Sequence, residues 1–131
     1  MKQIFAENAP AAIGPYCHAI VHENLVFCSG QLAFDPETMK ISATTIEDQT
    51  ARVMKNLEIV LAKAGTGLDR IVKTTIYLAS LDDFAAMNSV YEKCLDGHKP
   101  ARATIEAGRL PKGALVEIDC IAVIDREPLN K

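Results

Sequence analysis

Tryptophan is absent from this 131-residue chain and aromatic residues make up only 5% of it, so the stacking platforms on which proteins hold unpaired bases have few candidates here. A basic excess is missing too. The 14 Lys and Arg residues against 17 Asp and Glu give a net charge of −3, the reverse of the surface that a nucleic-acid backbone selects. No apolar run approaches the ~20 residues of a membrane span. Glu7 and Pro10 interrupt the apolar core that a signal peptide would need. The four cysteines, at positions 17, 28, 94 and 120, form no CxxC pair and sit inside apolar patterns. That usage predicts buried, reduced thiols and a cytoplasmic protein. Internal repeats, low-complexity tracts and linkers are lacking as well, so residues 1–131 read as one domain, long enough to bury a core without staples.

What is present is strong periodicity. Ile46, Val53, Met54, Leu57, Val60, Leu61 and Ala64 recur with a 3.6-residue period and predict a helix over 46–64. Thr44 and Glu47 have capping-box spacing, and Gly65 provides the stop. Phe84, Met87, Val90, Tyr91 and Cys94 mark a second helix over about 81–95, with Ser80 and Asp83 able to cap it and Gly97 to end it. Leu25 to Ser29 predicts a strand hairpinned to Ala19–His22 through Glu23 and Asn24. Residues 70–78, 101–107 and 113–124 also read as strands. The order ββ-α-β-α-ββ favours an α+β sandwich with both helices on one face of a mixed sheet. The other sheet face is then left bare.

The last strand, GALVEIDCIAVI, carries a puzzle. Alternation places Val116, Ile118, Cys120, Ala122 and Ile124 on one face, all apolar. The other face holds Leu115, Ile121 and Val123 together with two acids, Glu117 and Asp119. In KPARATIEA the sign is reversed: Arg102, Thr104 and Glu106 share one face, opposite Ala101, Ala103, Ile105 and Ala107. The small apolar face suits the helices, which puts Arg102 and Thr104 on the bare side. If this strand neighbours the last, Arg102 and Glu117 share a face. A guanidinium among apolar side chains suits two-point binding of a carboxylate, and a nearby glutamate can deprotonate a water. The alternative from spacing alone is an ion pair that stabilises a subunit contact.

The stretch PARATIEAGRLPKGALVEIDCIAV (100–123) resembles the C-terminal signature of the RidA/YjgF family of reactive intermediate deaminases, also described as L-PSP endoribonucleases. ENAPAAIGPY (7–16), SGQLAFDPET (29–38), residues 49–57, VKTTIYLASLDDFAAMNSVYEK (72–93) and HKPAR (98–102) resemble family segments in the same order. The resemblance implies a chorismate-mutase-like fold, a homotrimer whose sheets face one another in a central barrel, and sites in clefts between subunits. It implies hydrolysis of enamines and imines such as 2-aminoacrylate to 2-keto acids and ammonia, without metal or organic cofactor. By the same resemblance Arg102 grips the substrate carboxylate, Glu117 positions the attacking water, and Tyr16, Ser29, Gly30 and Thr104 line the pocket. Asp119 is expected to be a structural contact in the trimer interior. Two departures from the family pattern bear on substrate preference: Cys17-His18 after Gly-Pro-Tyr, and Thr104 where some members have cysteine.

Other signals are discarded. His18 and His22 have the spacing of a helical metal pair, but in a strand they stand ~13 Å apart. Cys17 faces away from His18 and reads as packing. Ser29-Gly30 lacks a nucleophile elbow. Gly65-Thr66-Gly67 is a helix stop, not a phosphate loop. Met54 and Met87 read as core. Two competing functions stand beside the deaminase: an RNA-cleaving or RNA-binding protein, and a non-enzymatic trimer that binds small keto acids or partner proteins.

Overall fold

The computed structural model describes residues 1–124 and contains six strands and two α-helices. The strands are β1 (Lys2–Ile4), β2 (Ala19–His22), β3 (Leu25–Gln31), β4 (Ile71–Leu78), β5 (Ala101–Glu106) and β6 (Val116–Val123). Helix α1 spans Ile46–Ala64 and α2 spans Phe84–Leu95. One sheet holds all six strands in the order β1-β2-β3-β6-β4-β5. Every pairing is antiparallel except β4 with β5, which is parallel and joined through α2. The mixed sheet with both helices on one face is the expected architecture. The first strand was not foreseen, because three residues are too few to show a period.

Helix α1 spans the predicted residues, but its cap lies one residue later than expected. Thr45, not Thr44, is the cap: its hydroxyl accepts the Asp48 amide at 3.1 Å. Gly65 ends the helix in the left-handed region at φ 92°. A 3-10 turn, Leu81–Asp83, precedes α2, with the Ser80 hydroxyl accepting the Asp82 amide. The left-handed cap of α2 is Asp96, and Gly97 follows it.

The helices cover one side of the sheet. Val53, Met54, Leu57, Val60 and Leu61 of α1 and Met87, Tyr91 and Leu95 of α2 pack against Val26, Ile76, Leu78, Val116, Ile118, Cys120 and Ala122. Burial alternates strictly along β6, and the acid-bearing face is the half-buried one. Cys28 lies opposite Cys120 in the β3–β6 register, and both are buried. All four cysteines are free thiols. The other sheet face exposes apolar surface, including Phe27 at 40% and Ile105 at 48%. Among the described residues, no helix is long and apolar enough to cross a membrane.

The β5 expectation is overturned in two ways. Strand β5 does not neighbour β6, because β4 lies between them. Its faces are also reversed. Arg102 pairs with Thr74, which pairs with Cys120, a buried residue of the helix side. Arg102 and Thr104 therefore lie on the helix side of the sheet, and Ala103 and Ile105 on the bare side. Helix α2 supplies partners for the charge: Phe84 and Tyr91 place their rings 5.5 and 5.3 Å from the guanidinium carbon, and Asn88 Oδ1 accepts a hydrogen bond from Nη1 at 2.7 Å.

Candidate active site

A β-bulge builds the site around Glu117. The β3–β6 register slips between Cys28 and Gln31, which lifts Ser29 and Gly30 out of the ladder beside Glu117. The Ser29 hydroxyl donates to the Cys17 carbonyl at 2.7 Å, and the Ser29 amide donates to the His18 carbonyl. Gly30 is needed for its lack of a side chain. A Cβ there would stand 3.1 Å from Glu117 Cδ and 3.2 Å from Cγ, with Oε2 closer still. The carboxylate thus lies directly over the Gly30 backbone.

The remaining walls come from loops that the core pins in place. His18 is buried; its Nδ1 accepts the Ala6 amide at 2.9 Å, so Nε2 carries the proton and donates to the Pro10 carbonyl at 2.7 Å. This neutral imidazole fastens the Ala6–Pro10 segment, which is a structural role and not metal ligation. Among the described residues no group of three or more potential metal ligands occurs. Asn56 of α1 donates to the carbonyls of Leu32 and Phe34, both at 3.0 Å, and so fixes the segment after β3. Tyr16 is turned by Gly14 (φ 133°) and accepts the Ile13 amide on its hydroxyl.

Together these residues line a cleft of about 550 Å³ that includes Ile13, Tyr16, Ser29, Gly30, Lys112 and Glu117. Four of the six expected site residues therefore meet in one chain. Arg102 and Thr104 do not join them. They stand on the opposite sheet face, two strand spacings (~10 Å) away across β4. Among the described residues, Thr104 Oγ1 is a buried side-chain oxygen without a hydrogen-bond partner. Sequence reasoning missed Asn88, Phe84 and Tyr91, which hold Arg102. The spacing of Phe84, Asn88 and Tyr91 at i, i+4 and i+7 on α2 was the available signal, but Phe84 and Tyr91 read only as a core stripe and Asn88 was not singled out.

Burial raises the Glu117 pKa above its ordinary value, and the nearby charge of Asp119 raises it further. Glu117 forms no ion pair among the described residues, where Lys55–Glu58 is the pair present. Asp119 accepts a hydrogen bond from the Tyr77 hydroxyl at 3.2 Å. A half-buried carboxylate with a raised pKa, unpaired and facing a cleft, has the properties of a general base.

The chain matches the family model described as Endoribonuclease L-PSP over residues 6–124. It is 47% identical over 119 residues to a RutC family protein of Pyrococcus abyssi, covering 91% of this chain and 94% of the relative. It is 46% identical over 121 residues to the chloroplastic Reactive Intermediate Deaminase A of Arabidopsis thaliana, covering 92% of this chain and 65% of that one. The crystal structure of E. coli TdcF with bound serine superposes with a TM-score of 0.91 at 35% identity, covering 95% of this chain and 100% of TdcF. With the model match spanning nearly the whole length and the fold shared, the chain belongs to the RidA/YjgF family.

Proposed function

We propose that this protein is an enamine/imine deaminase that hydrolyses 2-aminoacrylate-type intermediates to 2-keto acids and ammonia, as a homotrimer with its sites between subunits. The observation that carries this reading is Glu117: a half-buried carboxylate with a raised pKa and no cation partner among the described residues, laid over Gly30 in a cleft. The plant relative's name, Reactive Intermediate Deaminase A, supports the reaction class, and the serine bound to TdcF supports a small carboxylate-bearing ligand.

In this reading the substrate bridges two chains. Arg102 of one subunit holds the carboxylate, its fork oriented by Asn88 and the Phe84 and Tyr91 rings, and Thr104 offers its unsatisfied hydroxyl beside it. The neighbour contributes Glu117, Tyr16, Ser29 and Gly30. Protonation of the enamine carbon gives the imine. Water then forms a bond to the imine carbon while Glu117 takes one of its protons. The tetrahedral intermediate collapses as that proton passes to nitrogen: the C–N bond breaks, the hydroxyl gives up its own proton to solvent as the carbonyl forms, and ammonia leaves behind the keto acid. Catalysis of this kind rests on placing one water and one carboxylate, without a covalent intermediate or a cofactor.

RNA cleavage is the second reading, favoured by the family description alone; the net charge of −3 and the 5% aromatic content weigh against it. The test generates an imine with a PLP-dependent dehydratase and follows its lifetime with and without the protein, with RNA cleavage assayed on the same preparation. The deaminase reading expects faster imine loss, and a Glu117→Gln protein slowed by roughly 10²-fold or more. Imine loss at the uncatalysed rate together with RNA cleavage would replace it with the second reading.

A further inference from the structure

Of the two acids on β6, the mechanism leaves Asp119 unused, and the structure gives it specific company. Asp119 follows Glu117 by two residues on β6 and shares its face. Tyr77 stands directly opposite Glu117 in the β4–β6 register, yet its hydroxyl reaches along the sheet to Asp119 Oδ2 at 3.2 Å. The phenol thus lies diagonally across the two acids, opposite one and bonded to the other. The charge of Asp119, burial and the hydrogen bond to Asp119 all raise the Tyr77 pKa, with a smaller contribution from Glu117. The tyrosine therefore remains a proton donor throughout the neutral range.

We propose that the Tyr77–Asp119 pair is a positioning device that shifts the pH range in which Glu117 serves as the base. The inference rests on the reading of Glu117 given above. Neither residue is among those that line the cleft described above. Asp119 acts as a fixed negative charge beside Glu117, and Tyr77 holds that charge in place. The other charged and titratable groups around Glu117 differ in kind. Tyr16 and the buried, doubly hydrogen-bonded His18 come from the N-terminal segment, and Lys112 from the 3-10 turn Pro111–Gly113. Strand β3 contributes the Ser29 hydroxyl, and Lys73 lies farther along β4, opposite Ile121. Asp119 is the anion among them, on the same strand and face as the base. A like charge at that separation disfavours ionisation of its neighbour, which makes Glu117 a stronger base once it has ionised.

The experiment pairs two readouts: the carboxyl carbon of Glu117 titrated by NMR, and the acid limb of kcat/KM for imine hydrolysis. Asp119→Asn should lower the Glu117 midpoint and the acid limb together by half a unit or more. Below both midpoints, that is about a threefold gain in the ionised fraction of Glu117. Asp119→Glu restores the charge and should return both values close to the parent's. Tyr77→Phe combined with Asp119→Asn should match Asp119→Asn alone, because Tyr77 acts through Asp119. A light-scattering mass equal to the parent's confirms that the variants remain assembled. A Glu117 midpoint that stays put in assembled Asp119→Asn protein overturns the proposal. A midpoint that moves while the acid limb does not overturns the assignment of Glu117 as the base instead.

Discussion

At the scale of single residues, Gly30 and Glu117 form a pair in which one side chain exists because the other does not. The backbone of Gly30 has no positive φ, so alanine is conformationally acceptable there. A methyl would nevertheless occupy the space of the Glu117 carboxyl. Since the displaced atoms end a flexible, half-exposed side chain, Gly30→Ala should leave thermal stability nearly unchanged. Turnover should fall between about tenfold and 10²-fold, because misplacing a catalytic group by an ångström is costly. Thermal melts and imine assays on the same protein check both halves; a variant as active as the parent would mean that Glu117 need not sit over residue 30. Glu117→Gln offers a second check through linkage. The folded-state pKa of Glu117 is raised, so the folded protein holds this proton more tightly than the unfolded chain does. Stability from this group is complete below the unfolded value and declines as pH rises through the folded one. Glu117→Gln should therefore melt higher than the parent at neutral pH, with the difference vanishing in acid. A variant that melts lower at neutral pH would mean that the ionised carboxylate has a stabilising partner.

At the scale of elements, periodicity was legible, and so was the sidedness of β6, but that of β5 was not. The alternation of β5 was correct, yet Arg102 faces the helices. A strand's own sequence cannot say which of its two faces meets the core, and the preference for small apolar residues under helices pointed the wrong way. The register decides it: Arg102, Thr74 and Cys120 form one row across β5, β4 and β6, and Cys120 belongs to the core. The guanidinium is tolerated there because α2 brings two rings and an amide oxygen to it. Strand order was equally hidden, since insertion of β6 between β3 and β4 depends on contacts far apart in the chain. The helix cap was misplaced by one residue for a local reason: in TTIED both threonines have an acid three positions later, and only the backbone path selects Thr45. Thr45→Ala should accordingly destabilise the protein by about 1 kcal/mol, and Thr44→Ala by much less, in chemical denaturation. Equal losses would mean that the two threonines share the cap. Of the site, Tyr16, Ser29, Gly30 and Glu117 were legible through the resemblance and do meet in one cleft. The bulge that gathers them has no sequence mark beyond Gly30 itself.

At the scale of the whole molecule, the bare sheet face and the proposed division of the site between Arg102 and Glu117 call for the same assembly. Phe27 and Ile105 expose large apolar surface on the face that also carries Ile121, Val123 and the two acids. A homotrimer would cover that face and bring Arg102 of one chain to Glu117 of the next. Light scattering should return three times the 14.2 kDa chain mass at micromolar concentration, and a monomer would remove the basis for a shared site. Subunit mixing tests the central claim most directly. Arg102→Ala and Glu117→Gln proteins, each inactive alone, are co-expressed with different tags and the mixed trimers isolated. If each site takes its arginine and its glutamate from different chains, every mixed trimer keeps one of its three sites intact, and about one third of parent imine hydrolysis should return. Mixed trimers, verified by mass, that stay as inactive as either parent variant would contradict a site shared between subunits.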